Sequence, residues 1–273
     1  MTRTVLHHEA GRRFNALAER LETIVEPIAP LVETVTGLAL PDAVVIRTMT
    51  ARKWQAVHRR EDKRRLRAEA RELHPSRSAL CAAKAQTASL RNTRRAQWPT
   101  IGAQAVEFRQ GHPELVVLPQ ALREAGRLTD EPMLYKIVAH ELTHLAQYAI
   151  DDGATWSLMD TLYPDQRGTA DRDYPFLLEG HAYWADREIT TKLLGAPVPT
   201  GEISPHATLR YRALAETPQR AAALEHMTAA TDSVAQIIDT KGLAMFNRVW
   251  TTPELVPLKS EASAPELWRR RFG

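Results

Sequence analysis

The chain has 273 residues, 44% of them hydrophobic and 25% charged, with a formal net charge of +3. That composition suits a soluble globular protein with one large core, or a catalytic domain plus an accessory region. It excludes one class and leaves another without support. A single cysteine, Cys81, forbids an internal disulfide framework, and a net charge this small does not by itself imply a nucleic-acid-binding protein.

Aromatic residues are 6% of the chain, so Leu, Ala and Val must fill most of the core. Cys81, in Ser-Ala-Leu-Cys-Ala-Ala, reads as a small buried apolar side chain. The N-terminus lacks the apolar stretch of a signal peptide. No run approaches the roughly 18 apolar residues of a membrane span. The expectation is a cytoplasmic protein without membrane contact.

In chain order, residues 11–37 read as a helix, with Phe14, Leu17, Leu21, Ile24, Val25 and Ile28 at spacings of three and four. Pro27 and Pro30 are expected to break or kink it. Ala43-Val44-Val45-Ile46 reads as a strand, and Thr50 can cap a charged helix running to about Leu73. This segment opens a basic stretch, Arg52 to Arg95, interspersed with Glu61, Asp62, Glu69 and Glu72. Its first reading is a mixed-charge solvated helix, and its second is a basic docking face for a partner or nucleic acid. Residues 76–100 show no clear pattern and mark a boundary or mobile segment. They divide an N-terminal helical and strand region, 1–100, from a catalytic core with its tail, 101–273.

Residues 105–109 and 114–118 read as two short extended runs around a Gly-containing turn. Asp130 or Thr129 can cap a helix with Pro132 in its first turn, reaching about Ile150. A loop follows to Pro175, then a helix from Phe176 to Gly195. A Pro-rich linker covers residues 197–205, and residues 206–241 and 242–250 read as helical. The remaining tail should wrap over the surface. The fold class is therefore α+β, mostly helical, with a small sheet from residues 43–49 and 104–118 packed on the helix that ends near Ile150.

That helix contains His140-Glu141-Leu142-Thr143-His144, an H-E-x-x-H motif. Residues four apart share one helical face, so both imidazoles can reach a single ion. Glu141 lies off the ligand line, where it can reach a metal-activated water without binding the metal. Chance would place about 0.03 such motifs in a chain of this composition.

A catalytic zinc takes three protein ligands and keeps one position open. A third His six residues beyond His144 is ruled out, because Ile150 stands there. Asp151 and Asp152 are conceivable but have a ready role as turn residues. Glu179 is the better candidate: it lies within the apolar helical run Phe176-Leu-Leu-Glu-Gly-His-Ala-Tyr-Trp, where an unpartnered carboxylate would be costly. Gly180 and Ala182 beside it would allow close approach to the H-E-x-x-H helix. Asp186, two turns on, either accepts the second N–H of a ligand His or sits at the surface. His181 is expected to line the cleft. His7, His8, His58, His74 and His112 have no ligand spacing and read as surface residues.

Glu179-Gly180-His181-Ala182 with Asp186 resembles the second motif of the actinobacterial zincin-like metallopeptidases, which include proteins labelled as associated with coenzyme F420 biosynthesis. Gly242 to Trp250, then Pro253-Glu254, Pro257, Glu261, Pro265-Glu-Leu-Trp268 and Arg270, resemble that family's tail. With the H-E-x-x-H motif, the resemblance covers roughly residues 100 to 270. It implies a gluzincin-like fold, zinc (Zn2+) held by His140, His144 and Glu179, and Glu141 as catalytic base acting on a peptide or protein substrate.

For the developing oxyanion, Tyr183, His181, His206, Arg210 and Tyr211 are the candidate donors. Two other readings of the same residues are a His/His/carboxylate iron enzyme and a catalytically silent binding module docking through the basic stretch.

Overall fold

A four-stranded mixed sheet and a layer of long helices share one core in the computed structural model, which describes residues 3–272. The sheet runs β1 (Arg3–Glu9), β2 (Ala43–Met49), β4 (His112–Val117), β3 (Ala103–Arg109) from edge to edge. β1, β2 and β4 are mutually parallel, and β3 closes a hairpin antiparallel to β4. The helix α1 (Asn15–Thr36) connects β1 to β2. Two further helices, α2 (Ala51–Leu73) and α3 (Arg77–Gln97), separate β2 from β3.

After β4 come α4 (Pro119–Glu124), α5 (Glu131–Ala149), α6 (Ala154–Met159), α7 (Tyr174–Leu194), α8 (Leu209–Ala215) and α9 (Pro218–Lys241). Three short helices end the chain: α10 (Leu243–Phe246), α11 (Lys259–Ala262) and α12 (Pro265–Arg271). α5 lies at the centre. It packs against β3 and β4 on one side and against α1 and α7 on the other, while α7 packs in turn on α9. Leu134, Val138, Leu142 and Leu145 from α5 are buried in the main core with Val44, Ile46, Leu115 and Val117 from the sheet. No helix among the described residues is long and apolar enough to cross a membrane.

The helical and extended runs read from the sequence are present, with informative departures. Pro27 and Pro30 do not break α1, which runs unbroken for 22 residues. A proline removes the hydrogen bond to the carbonyl four residues back, here Thr23 and Glu26. Both are exposed, so water takes the place of the missing N–H, and the buried stripe of Leu21, Ile24, Val25 and Ile28 is undisturbed. Gly37 then stops the helix in the left-handed region at φ 65°. Residues 77–97, without pattern in the sequence, form the single helix α3, capped by the Ser76 side chain accepting from Ala79 N–H. Cys81 on it is exposed, not buried, because only Ala83 and Thr87 of α3 are buried.

β1 escaped the sequence reading because only Val5 and Leu6 mark it. Its extended form depends on pairing with β2 from Arg3↔Ala43 to Glu9↔Met49. The stretch 206–241 divides at Pro218, where the Thr217 side chain caps α9 by accepting from Arg220 N–H at 3.3 Å. The tail does not wrap the surface: Trp268 and Phe272 are fully buried among Phe176 and Phe246. It is also tied to the first helix, since Asn247 Nδ2 donates to the carbonyl of Thr36, the last residue of α1, at 2.8 Å.

Gly180 is a point of close approach, but toward α9 rather than α5. A Cβ there would stand 2.9 Å from the backbone of Ala230. Substituting Ala for Gly180 should therefore cost about 1–3 kcal/mol of stability through overpacking. Denaturant unfolding of Gly180→Ala checks this, with the midpoint expected to fall.

His58 is buried against Trp54 and Phe108, not at the surface. Burial, with Arg94 and Arg65 nearby, pushes its pKa down to about 3. The folded chain thus refuses a proton that the unfolded chain takes near pH 6.5, and stability should fall as pH drops through that window, by about 3 kcal/mol between pH 6.5 and 4. Urea unfolding at pH 7 and pH 4 tests this. His58→Leu should lose less stability over that interval than the native chain.

Candidate metal centre

Two helices build the site. The Asp130 side chain fixes the start of α5 by accepting from Met133 N–H at 3.2 Å. The Asp173 side chain fixes the start of α7, accepting from Phe176 N–H at 3.0 Å. On α5, Lys136, His140 and His144 recur every four residues and so share the face turned to α7.

From α7, Glu179 meets both histidines. One ligand atom from each of His140, His144 and Glu179 lies within 4.8 Å of the other two. His140 Nε2 and His144 Nε2 are 3.2 Å apart. The Glu179 carboxylate lies 3.3 Å from the first and 3.7 Å from the second. Asp151 and Asp152, the alternative carboxylates, are not in this cluster.

The outward nitrogens decide what these three groups offer. His140 Nδ1 lies 3.2 Å from Asp186 Oδ2, and a carboxylate can only accept, so Nδ1 carries the proton. Asp186 is thus buried and bound to a candidate ligand, the first of its two readings. His144 Nδ1 lies 2.8 Å from Gln147 Oε1. The Gln147 amide is oriented by its nitrogen, which donates to the Leu178 carbonyl at 2.9 Å and to His181 Nδ1 at 3.0 Å. Gln147 therefore offers oxygen to His144, and that Nδ1 also carries the proton. Both Nε2 atoms then face the same place as a carboxylate.

Three electron-rich groups cannot share one point without a cation between them. Their protonation says the same. Burial lowers the basicity of His140, yet donating to Asp186 and Glu179 outweighs it and holds its pKa up at about 10, so that the imidazole itself carries the positive charge here. Burial raises Glu179, but His140 and His144 bring it down to about 2. A divalent ion meets the same demand with a donor set of two imidazoles and one carboxylate, which is the chemistry of a catalytic zinc site. The residues present fit such an ion.

Glu141 sits beside them at the inner end of the cleft, buried, with Oε2 accepting from Ala105 N–H of β3 at 2.6 Å. Burial, and Glu179 nearby, push its pKa up to about 7. Its Oε1 has no hydrogen-bond partner among the described residues.

The site opens into a cavity of about 1150 Å³, walled by α2, β3, α5, α7 and the segment 199–202. Of the candidate oxyanion donors, Tyr183 and Tyr211 are in this wall. Tyr183 packs over His140 with ring centroids 4.5 Å apart. His181, His206 and Arg210 are not in it. His181 is fully buried between Trp184, Phe246 and Trp250, where it orients Gln147 instead of lining the cleft.

Three contributors were invisible in the sequence reading. Lys136 is buried and donates to Asp186 at 2.5 Å, and its only sequence signal is its place four residues before His140 on an apolar helix. Gln147 lies three residues after His144, within reach on the same helix. Arg220 lines the cavity and makes no ion pair among the described residues.

No protein-family model matches the chain, and no curated protein sequence matches it significantly. Among solved structures, it is similar to a protein from Chloroflexus aurantiacus, provisionally named a hydrolase with a novel fold. The likeness has a TM-score of 0.61 at 18% identity and covers 93% of this chain and 89% of the other. At that identity it speaks for a shared fold across nearly the whole chain.

Lys136 and Asp186 form a buried pair whose value depends on both members. Removing Lys136 leaves Asp186 with His140 as partner, whereas removing Asp186 strands the buried Lys136, at a cost of about 3–5 kcal/mol. Asp186→Leu should thus be strongly destabilising, and Asp186→Leu with Lys136→Met should unfold later than Asp186→Leu alone. Urea denaturation of the three chains reads the coupling directly.

Proposed function

We propose that this protein is a zinc-dependent hydrolase of the zincin type that cleaves peptide bonds. His140, His144 and Glu179 are its metal ligands and Glu141 its general base. The carrying observation is the convergence of two Nε2 atoms and one carboxylate, each histidine locked from behind by an acceptor. An ion at that point would supply Lewis acidity, lowering the pKa of a water and polarising a carbonyl.

The chain's own groups supply the rest. Glu141, adjacent to His140 and anchored on one oxygen by Ala105, keeps its second oxygen to accept a proton from the attacking water and return it to the leaving amine. The rear hydrogen bonds to Asp186 and Gln147 keep both imidazoles in the ligating tautomer. Tyr183, against His140, is placed to donate to a developing oxyanion.

Two features favour a peptide over a small substrate. The motifs around Glu179 and in the tail resemble those of zincin-like metallopeptidases. The cavity, about 1150 Å³, is larger than the range of about 300–1,000 Å³ typical of small-molecule sites. The shared fold with a protein provisionally named a hydrolase supports hydrolysis as the reaction class alone.

The test is metal analysis of protein purified without added metal, joined to cleavage of a peptide library read by mass spectrometry. One zinc per chain and cleavage by the native protein are expected. Glu141→Gln should keep the zinc and lose activity by at least about 100-fold. Stoichiometric iron, or undiminished cleavage by Glu141→Gln, would overturn the reading.

A further inference from the structure

The chain's charge is unevenly placed. Residues 51–97, the α2–α3 helical hairpin, carry 14 Lys and Arg against 4 Asp and Glu, a net of +10. The rest of the chain therefore stands at −7, given the total of +3. Four of these cations are paired. Lys53, Arg64, Arg65 and Arg94 each have a carboxylate partner: Glu9, Glu61, Asp62 with Asp160, and Asp62.

The other ten are all exposed and make no ion pair among the described residues. On α2 they are Arg52, Arg59, Arg60, Lys63, Arg67 and Arg71, in a line opposite the inward residues Trp54, His58, Asp62 and Glu69. On α3 they are Arg77, Lys84, Arg91 and Arg95, spaced by seven, seven and four, so they too form one line. α3 has no acidic residue at all and buries only Ala83 and Thr87.

Ten like charges along two helices repel one another, and none of their positions is needed to fill the core. We propose that this hairpin is a docking surface for double-stranded nucleic acid, gripped through its phosphate backbone without regard to sequence.

Four observations select that partner. α2 is 23 residues long, about 34 Å, close to one turn of a duplex. The cations are strung along that length rather than gathered in a patch, which matches an extended polyanion. Eight of the ten are arginines, whose planar fork fits phosphate oxygens. The hairpin exposes no Phe, Tyr or Trp ring to stack on unpaired bases, since Trp54 is buried, and Leu90 is its only exposed large apolar side chain, at 36%. The first disfavours recognition of single strands, and the second leaves little to insert into a bilayer. The inference does not depend on the proposed chemistry, although α2 also forms one wall of the catalytic cavity.

The experiment is fluorescence anisotropy with labelled duplexes of about 30 bp and arbitrary sequence, DNA in one arm and RNA in another, between 50 and 200 mM salt. Contacts to four or five phosphates predict a log–log slope near −4 and a loss of about 10²- to 10³-fold in affinity across that range. Replacing Arg60, Lys63, Arg67 and Arg71 with Gln should flatten the slope by about 2–4 and weaken binding at least tenfold at 50 mM salt. Replacing Arg77, Arg91 and Arg95 is a second, independent variant. Both change exposed side chains only, and circular dichroism checks their folding. Lys192→Gln with Lys241→Gln, on α7 and α9, should leave binding unchanged.

Polyglutamate, a single strand of equal length, and vesicles with about 30% phosphatidylserine serve as competitors. Absence of binding to both duplexes at 50 mM salt would overturn the proposal. So would hairpin variants that bind like the native chain, or equal binding of polyglutamate, single strand or vesicles.

Discussion

Two imidazole lone pairs and a carboxylate aimed at one point set the terms for the rest of this molecule. Such an arrangement is repulsive until a positive charge enters, so it persists only if the surrounding structure holds each group in place. Here the holding is done from behind. Asp186 fixes His140 and Gln147 fixes His144, and each of these is itself fixed, by Lys136 in one case and by Leu178 and His181 in the other. The chain therefore builds two layers of hydrogen bonds outward from the ion site. The members of both layers are buried, Lys136 and Asp186 at the wall of the cavity.

That burial explains the distribution of mass around the site. A buried Lys–Asp pair is tolerable only where its geometry is fixed and its charges are neutralised together. α7 must therefore lie tightly against α5, and the structure presses it there. Gly180 lets α9 come within contact of the back of α7, and the C-terminal Trp268 and Phe272 close the aromatic core beneath Phe176. The tail, tied to the end of α1 through Asn247, is thus part of the scaffold that supports the candidate metal centre.

How much of this was legible follows from the range of each interaction. The donors on α5 could be read because the spacing of His140 and His144 is local, and a helix converts four residues into one face. Glu179 could be read because a carboxylate in an apolar helix asks for a partner. Asp186 could be read only as one of two options, since its role depends on how α7 meets α5. Lys136 and Gln147 carried no mark, because a single Lys or Gln on a helix has the same sequence signature exposed or buried. β1 failed for the same reason: its extended state is a property of its pairing with β2, not of its own seven residues. Cys81 was misread because apolar neighbours suggested burial, whereas α3 buries only Ala83 and Thr87.

The mixed charge of α2, read from sequence as a solvated helix, proves to be two arrangements on opposite faces. On the side of the cavity, Arg64 and Arg65 are matched by Glu61, Asp62 and Asp160, and with Arg94 they form part of its wall. Along the outer line, Arg52, Arg59, Arg60, Lys63, Arg67 and Arg71 make no ion pair among the described residues. Composition averages these faces and hides both, which is why a net charge of +3 understates a surface that carries ten free cations on one hairpin. Because α2 belongs to both faces, anything seated on its outer line lies one helix diameter, about 10–12 Å, from the cavity that holds Glu141. A protein bound to the same polyanion would then meet the cleft at a raised local concentration, through proximity alone. The two surfaces need no conformational coupling for one to serve the other.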